Sequence, residues 1–239
     1  MLLDIIGGGD IREIIISLLL SLPVILIALS FHEAAHAFVA YKMGDRTAYN
    51  LGRVTMNPLK HLDVFGCIWM LVFGYGWAKP VPINARNFRN PKHGMAFTAI
   101  AGPIANLILG VIGTILYAVT IFVFSVNFAS ISGNEFLFNL VVIIMNFFYL
   151  FGMMNFILMV FNLIPIPPFD GSRFFSLFLP DRLYFGIMKY EKYTLIAILA
   201  ISFLSYRFFN FSPASWVANK LFDFLTDVTV SGLSNIFIR

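Results

Sequence analysis

Phe31-His32-Glu33-Ala34-Ala35-His36 closes a run from Ile14 to Phe31 that contains no charged residue, and its reading decides what kind of protein this is. On a helix, two histidines four residues apart project from one face, where both imidazoles can bind one zinc ion. Glu33 then lies beside the metal, placed to take a proton from the water such an ion activates. H-E-x-x-H alone is a moderately specific signal, since any long helix can carry two histidines one turn apart. The apolar setting sharpens it: ionisable side chains inside a membrane span are costly and mark functional sites.

The composition supports a membrane setting. Of 239 residues, 59% are hydrophobic and 12% charged, and the mean hydropathy is +0.86. Such a chain cannot bury its apolar surface as an ordinary water-soluble globule. One cysteine, Cys67, rules out an internal disulfide and a cysteine-rich zinc site, leaving histidine and carboxylate as ligands. The net charge of +4 does not indicate nucleic acid, because the basic residues gather in the segments between apolar runs.

Read in order, the chain predicts an all-α polytopic membrane protein of about four spans, forming one domain over residues 1–239. Asp10 and Glu13 suggest a capping box. The first helix runs from Ile11 to about Met43, with Pro23 inside and Gly44 as its stop. The segment from Lys42 to Lys92 holds half of all Lys and Arg, which makes it cytoplasmic and puts the N-terminus outside. Within it, Phe65 to Ala78 is too short and glycine-broken to span, and reads as a re-entrant or interfacial hairpin. Gly76 to Asn84 suits an extended edge. Pro80 and Pro82 there lack an N–H, so pairing runs through carbonyls and the Val81 and Ile83 amides. Met95 to Phe124 forms a second span in which Gly102, Ala105, Gly110 and Gly113 permit close helix packing, with Asn106 as the polar exception. Phe136 to Leu163 returns as a third span. It ends in Asn162-Leu163-Ile164-Pro165-Ile166-Pro167-Pro168-Phe169-Asp170-Gly171, where three prolines forbid regular helix. The core is 11–175. Residues 183–239 add a short fourth span, Tyr193 to Tyr206, and a C-terminal amphipathic helix lying in the interface, with Val217, Leu221, Phe224, Leu225 and Val228 on its apolar face.

A catalytic zinc usually takes three protein ligands. Asp170 is the best third candidate, because the inner end of the third span returns to the membrane level of the inner half of the first. An N-cap role for a helix starting near Ser172 is the competing reading. After His36, Val39 and Lys42 occupy the positions where a soluble metzincin carries glycine and a third histidine.

His32-Glu33-Ala34-Ala35-His36 in one span, Ala101-Gly102-Pro103-Ile104-Ala105-Asn106 in the next, and Asn162 through Gly171 after the third together resemble the site-2 protease family of intramembrane zinc metalloproteases. The resemblance covers roughly residues 20 to 175 and includes the Gly76 to Asn84 run, which is similar to that family's membrane-embedded segment. It implies one zinc per chain held by His32, His36 and Asp170, with Glu33 as general base and Asn162 stabilising the oxyanion or orienting substrate. A structural hydrogen bond across the bundle is the alternative for Asn162, and Asn106 reads as structural rather than catalytic. Compared with the family, the chain has no additional span before the motif helix and no PDZ or CBS region, a compact form.

The expected activity is hydrolysis of a peptide bond within or near the transmembrane helix of a single-span membrane-protein substrate. The expected location is the plasma membrane, with the site toward the cytoplasm. The rival is a zinc-binding membrane protein, transporter or inactive relative, without proteolysis. That rival has no use for Glu33 at its position in the motif.

Overall fold

The computed structural model describes residues 11–63, 65–66, 78–180 and 212–237, together with scattered positions between 182 and 201. Three of its helices are long and apolar enough to cross a membrane, so the chain is a multi-pass membrane protein. The first, α1 (Ile11–Met43), continues through Pro23. It ends where Gly44 takes a φ of +113°, open to glycine because no Cβ collides there. The Asp45 N–H then reaches back to the Ala40 carbonyl at 2.9 Å, satisfying one of the last free carbonyls of the helix. Two short helices follow, α2 (Thr47–Asn50) and α3 (Pro58–His61).

The second long helix, α4 (Pro91–Val126), starts under the Asn90 side chain, which accepts the His93 N–H at 3.2 Å, and has proline in its first turn. A one-turn helix, α5 (Phe128–Ser132), leads to the third long helix, α6 (Glu135–Asn162). There Asn134 accepts the Leu137 N–H at 3.1 Å, and Glu135 faces the positive end of the helix dipole.

Helix α4 is the centre of the bundle, packed against α1, α6 and the C-terminal helix α8 (Pro213–Phe237). Its glycines explain how closely the others approach. A Cβ at Gly110 would sit 2.5 Å from the Phe156 ring, and one at Gly113 2.8 Å from the Gly152 nitrogen of α6. Val24, Leu109 and Phe151 join α1, α4 and α6 in one buried cluster. The outward faces keep exposed apolar side chains, among them Leu19, Ile108, Ile112 and Phe136, which suits lipid rather than water.

The tail forms the expected C-terminal helix, and part of it packs against the bundle. Ala214, Ala218 and Phe222 are buried, and Ala218 and Phe222 pack with Met153 and Phe156 of α6. Phe222 lies against Tyr117 and Tyr149, while Phe237 meets Phe122 of α4. Helix α8 therefore packs against both α4 and α6. Phe224 and Val228, on the expected apolar face, are 65% and 56% exposed, open to lipid.

Other expectations meet fewer described residues. Asp10, the Glu13 side chain, most of the Phe65 to Ala78 hairpin and most of the Tyr193 to Tyr206 span lie outside them. The described part of the expected edge, 78–84, is extended, and its one bridge pairs Ala78 with Leu62. The proline-rich segment after α6 is irregular, as its three prolines require, and leads into α7 (Asp170–Phe175).

Candidate metal centre

Helix α1 presents His32 and His36 on the side facing α4, and both are buried. Gly102 of α4 makes the approach possible: a Cβ there would lie 2.5 Å from His32 Cε1 and 2.5 Å from His36 Nε2. From the end of α6 the irregular segment turns back, so that Asp170, first residue of α7, meets both rings. Its Oδ2 lies 3.2 Å from each Nε2, and the two Nε2 atoms are 3.0 Å apart. Asp170 is not the cap of α7, a position held by Phe169; its carboxylate faces the histidines.

The donor set fits a metal ion. The His36 Nδ1–H donates to the Thr98 carbonyl at 2.7 Å, and the His32 Nδ1–H donates to Asn106 Oδ1 at 2.5 Å. A neutral imidazole carries one ring proton, so both Nε2 atoms turn lone pairs toward each other and toward a carboxylate. Three such acceptors repel without a cation between them. Tetrahedral zinc with bonds of about 2.0–2.1 Å has ligand atoms about 3.3 Å apart, close to the 3.0–3.2 Å observed. Among the described residues this is the group of His, Cys, Asp and Glu that converges tightly enough to hold an ion. His61 is engaged elsewhere, its Nε2 2.8 Å from the Thr55 carbonyl.

A cavity of about 180 Å³ opens beside the three ligand atoms and is also lined by Glu33, Val81, Ile83, Asn162 and Arg173. Glu33 and Asn162 thus share one cavity with the three ligand candidates. Asn162 ends α6, and its Nδ2 donates to the Leu158 carbonyl at 3.0 Å, leaving a second amide hydrogen on the same nitrogen.

Extended residues 79–84 form the cavity's other wall, and their anchoring corrects one expectation. The Val81 N–H donates to Glu33 Oε2 at 3.0 Å, so that amide is not open to an incoming strand. The Lys79 N–H donates to the His61 carbonyl at 2.8 Å, and Arg53 Nη2 donates to the Lys79 carbonyl at 2.5 Å. At the far end, the Asn84 N–H donates to Asp45 Oδ2 at 2.7 Å. Asp45 is fully buried and also receives the Thr47 N–H, the Thr47 hydroxyl and Asn87 Nδ2. Burial would raise its pKa, but these hydrogen bonds hold it below the usual carboxylate value. Asp45 thereby ties the end of the histidine helix to the wall that faces Glu33.

Sequence reasoning named Asn106 as structural and did not single out Asn155. The structural role of Asn106 is specific, since it bonds His32 directly. Asn155, a lone amide between Met154 and Phe156, went unnoticed although it lies seven residues before Asn162 and so on the same face of α6.

Comparison with known proteins matches residues 20–205 to the model of Peptidase family M50. The chain is 40% identical over 177 residues, 74% of this chain and 77% of the relative, to the "Putative zinc metalloprotease YwhC" of Bacillus subtilis (strain 168). It is 28% identical over 151 residues to the "Putative zinc metalloprotease Rip2" of Mycolicibacterium smegmatis (strain ATCC 700084 / mc(2)155), 61% of this chain and 52% of that relative. No solved structure matches.

Proposed function

The chain belongs to peptidase family M50, and from that membership we propose that it is an intramembrane zinc endopeptidase cutting a peptide bond within or beside a single-span substrate's transmembrane helix. The observation that carries this reading is one cavity holding the His32, His36 and Asp170 donor atoms together with Glu33, the histidines and Glu33 lying within an apolar helix. Zinc bound there supplies Lewis-acid chemistry, polarising a carbonyl and easing deprotonation of water. Glu33 takes the water's proton on its carboxylate and returns it to the leaving amine. The spare Asn162 amide hydrogen serves the oxyanion that develops on the scissile carbonyl.

A helical substrate hides its carbonyls and must unwind locally, and in lipid each unpaired backbone group costs several kcal/mol. The wall at 79–84 can supply partners through the Ile83 amide and the carbonyls between Pro80 and Ile83. Adding a strand there also brings substrate next to the Val81–Glu33 bond. We assign the site to the cytoplasmic side of the plasma membrane from the basic segment around it, with a short span before α8 as the fourth crossing and residues 1–239 acting as one unit.

The reading is tested against zinc binding without proteolysis by Glu33→Ala, assayed on a reconstituted single-span reporter. Retained zinc with lost cleavage supports the peptidase. Retained zinc with unchanged cleavage removes Glu33 from the mechanism, and absence of cleavage by the parent favours the rival. His32→Ala, His36→Ala and Asp170→Ala should each deplete zinc, and parent-like zinc content in Asp170→Ala would dismiss the third ligand.

A further inference from the structure

The two nitrogens of an imidazole cannot both face a cation, so a histidine ligand needs its outer nitrogen fixed as the proton carrier. For His36 this follows from the Thr98 carbonyl, which can only accept. For His32 the partner is an amide, and an amide offers an acceptor on one side and a donor on the other. If Asn106 were turned over, its NH₂ would confront His32 Nδ1, forcing the proton onto Nε2 and blocking the lone pair the metal requires. Something must hold Asn106 in its orientation.

The polarity is set two links away, in α6. The Phe151 carbonyl can only accept, and Asn155 Nδ2 donates to it at 2.8 Å. Asn155 must therefore turn its Oδ1 to Asn106, whose Nδ2 donates to it at 2.8 Å and to the Ala28 carbonyl at 3.4 Å. Asn106 must in turn present Oδ1 to the His32 Nδ1–H, at 2.5 Å. Asn106 and Asn155 are both fully buried, so water cannot substitute for a missing link. Helices α1, α4 and α6 each contribute one side chain.

Resting on the metal-centre reading above, we infer that Asn155 is a positioning residue for the metal site: through Asn106 it fixes His32 in the tautomer that binds zinc, although it touches no ligand atom. Its own ordering by a backbone carbonyl makes the relay one-way. The Phe151 carbonyl dictates the orientation of Asn155, Asn155 that of Asn106, and Asn106 the proton position on His32. Here one orientation alone is compatible with a metal ligand.

The experiment measures zinc affinity by chelator competition and the visible spectrum of the cobalt-substituted protein, with metal-free thermal unfolding recorded alongside. The full chain in detergent is used as parent, Asn155→Leu, Asn155→Asp and His36→Ala. Asn155→Leu removes the acceptor for Asn106, whereas Asn155→Asp keeps one. The relay predicts that Asn155→Leu binds zinc about 10–100-fold more weakly, with an altered cobalt spectrum, and that Asn155→Asp restores most of the affinity. Equal affinity in Asn155→Leu and parent overturns the inference. So does an equal loss in the Leu and Asp variants, or an affinity loss that merely tracks lowered metal-free stability. Should Asn155→Leu fail to fold, Asn155→Ala, which also removes the acceptor, takes its place: weaker zinc binding in the Ala variant than in Asn155→Asp sustains the relay, and parent-like affinity in the Ala variant or an equal loss in both overturns it. His36→Ala separates the two readings. If it binds zinc as the parent does, the metal centre itself falls and the relay with it. If it loses zinc while Asn155→Leu does not, only the relay fails.

Discussion

Replacing Gly102 by alanine adds one methyl group where α4 passes the two histidines. The new Cβ would stand 2.5 Å from His36 Nε2, 2.5 Å from His32 Cε1 and 2.6 Å from His32 Nε2. Non-bonded heavy atoms settle at about 3.5 Å, so the rings must retreat by roughly 1 Å. They are not free to do so while holding a metal, because His36 is tethered to the Thr98 carbonyl and His32 to Asn106. Metal–ligand distances tolerate changes of only about 0.2 Å, and overpacking of this kind costs about 1–3 kcal/mol. At about 1.4 kcal/mol per factor of ten, zinc should bind roughly ten- to hundredfold more weakly to Gly102→Ala. The methyl crowds the same tethered rings without metal, so metal-free melting should fall as well, while the upward shift on adding zinc shrinks. Chelator competition and paired melts with and without zinc read both effects. Parent-like affinity in a folded Gly102→Ala would refute the close approach of α4 to the metal face.

Three further outcomes are expected. Asn162→Ala should keep its zinc and turn over about a hundredfold more slowly, the effect of losing one oxyanion donor; unchanged turnover would leave Asn162 with a structural role alone. Asp45→Ala should lower stability at neutral pH by roughly 2–3 kcal/mol, since hydrogen bonds to a buried charged group are lost. Because the folded pKa of Asp45 lies below its unfolded value, that contribution is present above about pH 4 and fades as pH falls through the folded pKa. Denaturant melts of parent and variant should therefore converge in acid, and a gap that persists below the folded pKa would remove the charge from the explanation. A single cysteine at Arg89 should react with impermeant reagents from the cytoplasmic side, and one at Ser130 from outside, both positions being exposed; the reverse would invert the orientation.

What could be read from sequence and what could not divides along physical lines. The bounds of α1, the pairing of His32 with His36 and the break after α6 follow from local rules: the helical repeat, a glycine stop and proline sterics. Asp170 required a topological step, since two antiparallel spans bring their ends to one level. The relay through Asn106 and Asn155 was not legible. A lone amide in an apolar helix announces that it needs a partner, but its partner depends on helix rotation, which periodicity in a uniformly apolar segment does not encode. The same limit hid which residues of the tail meet the bundle. In a membrane bundle the large apolar side chains need not face protein, and small residues mark the contact. Ala214 and Ala218 consequently line the interface while Phe224 turns outward. The bond from Val81 to Glu33 spans 48 residues and uses a backbone amide, for which side-chain identities hold no signal.

The central claim is that this metal site cuts a peptide bond at membrane depth, and the most direct test maps the scissile bond. Purified protein and a single-span substrate are reconstituted together in lipid vesicles, and the product termini are determined by mass spectrometry, with Glu33→Ala as the blank. The account predicts one dominant new terminus within or next to the substrate's transmembrane segment, present with the parent, lost on zinc chelation and absent with Glu33→Ala. Cleavage confined to loops far from the bilayer, or the same terminus produced by Glu33→Ala, would contradict it.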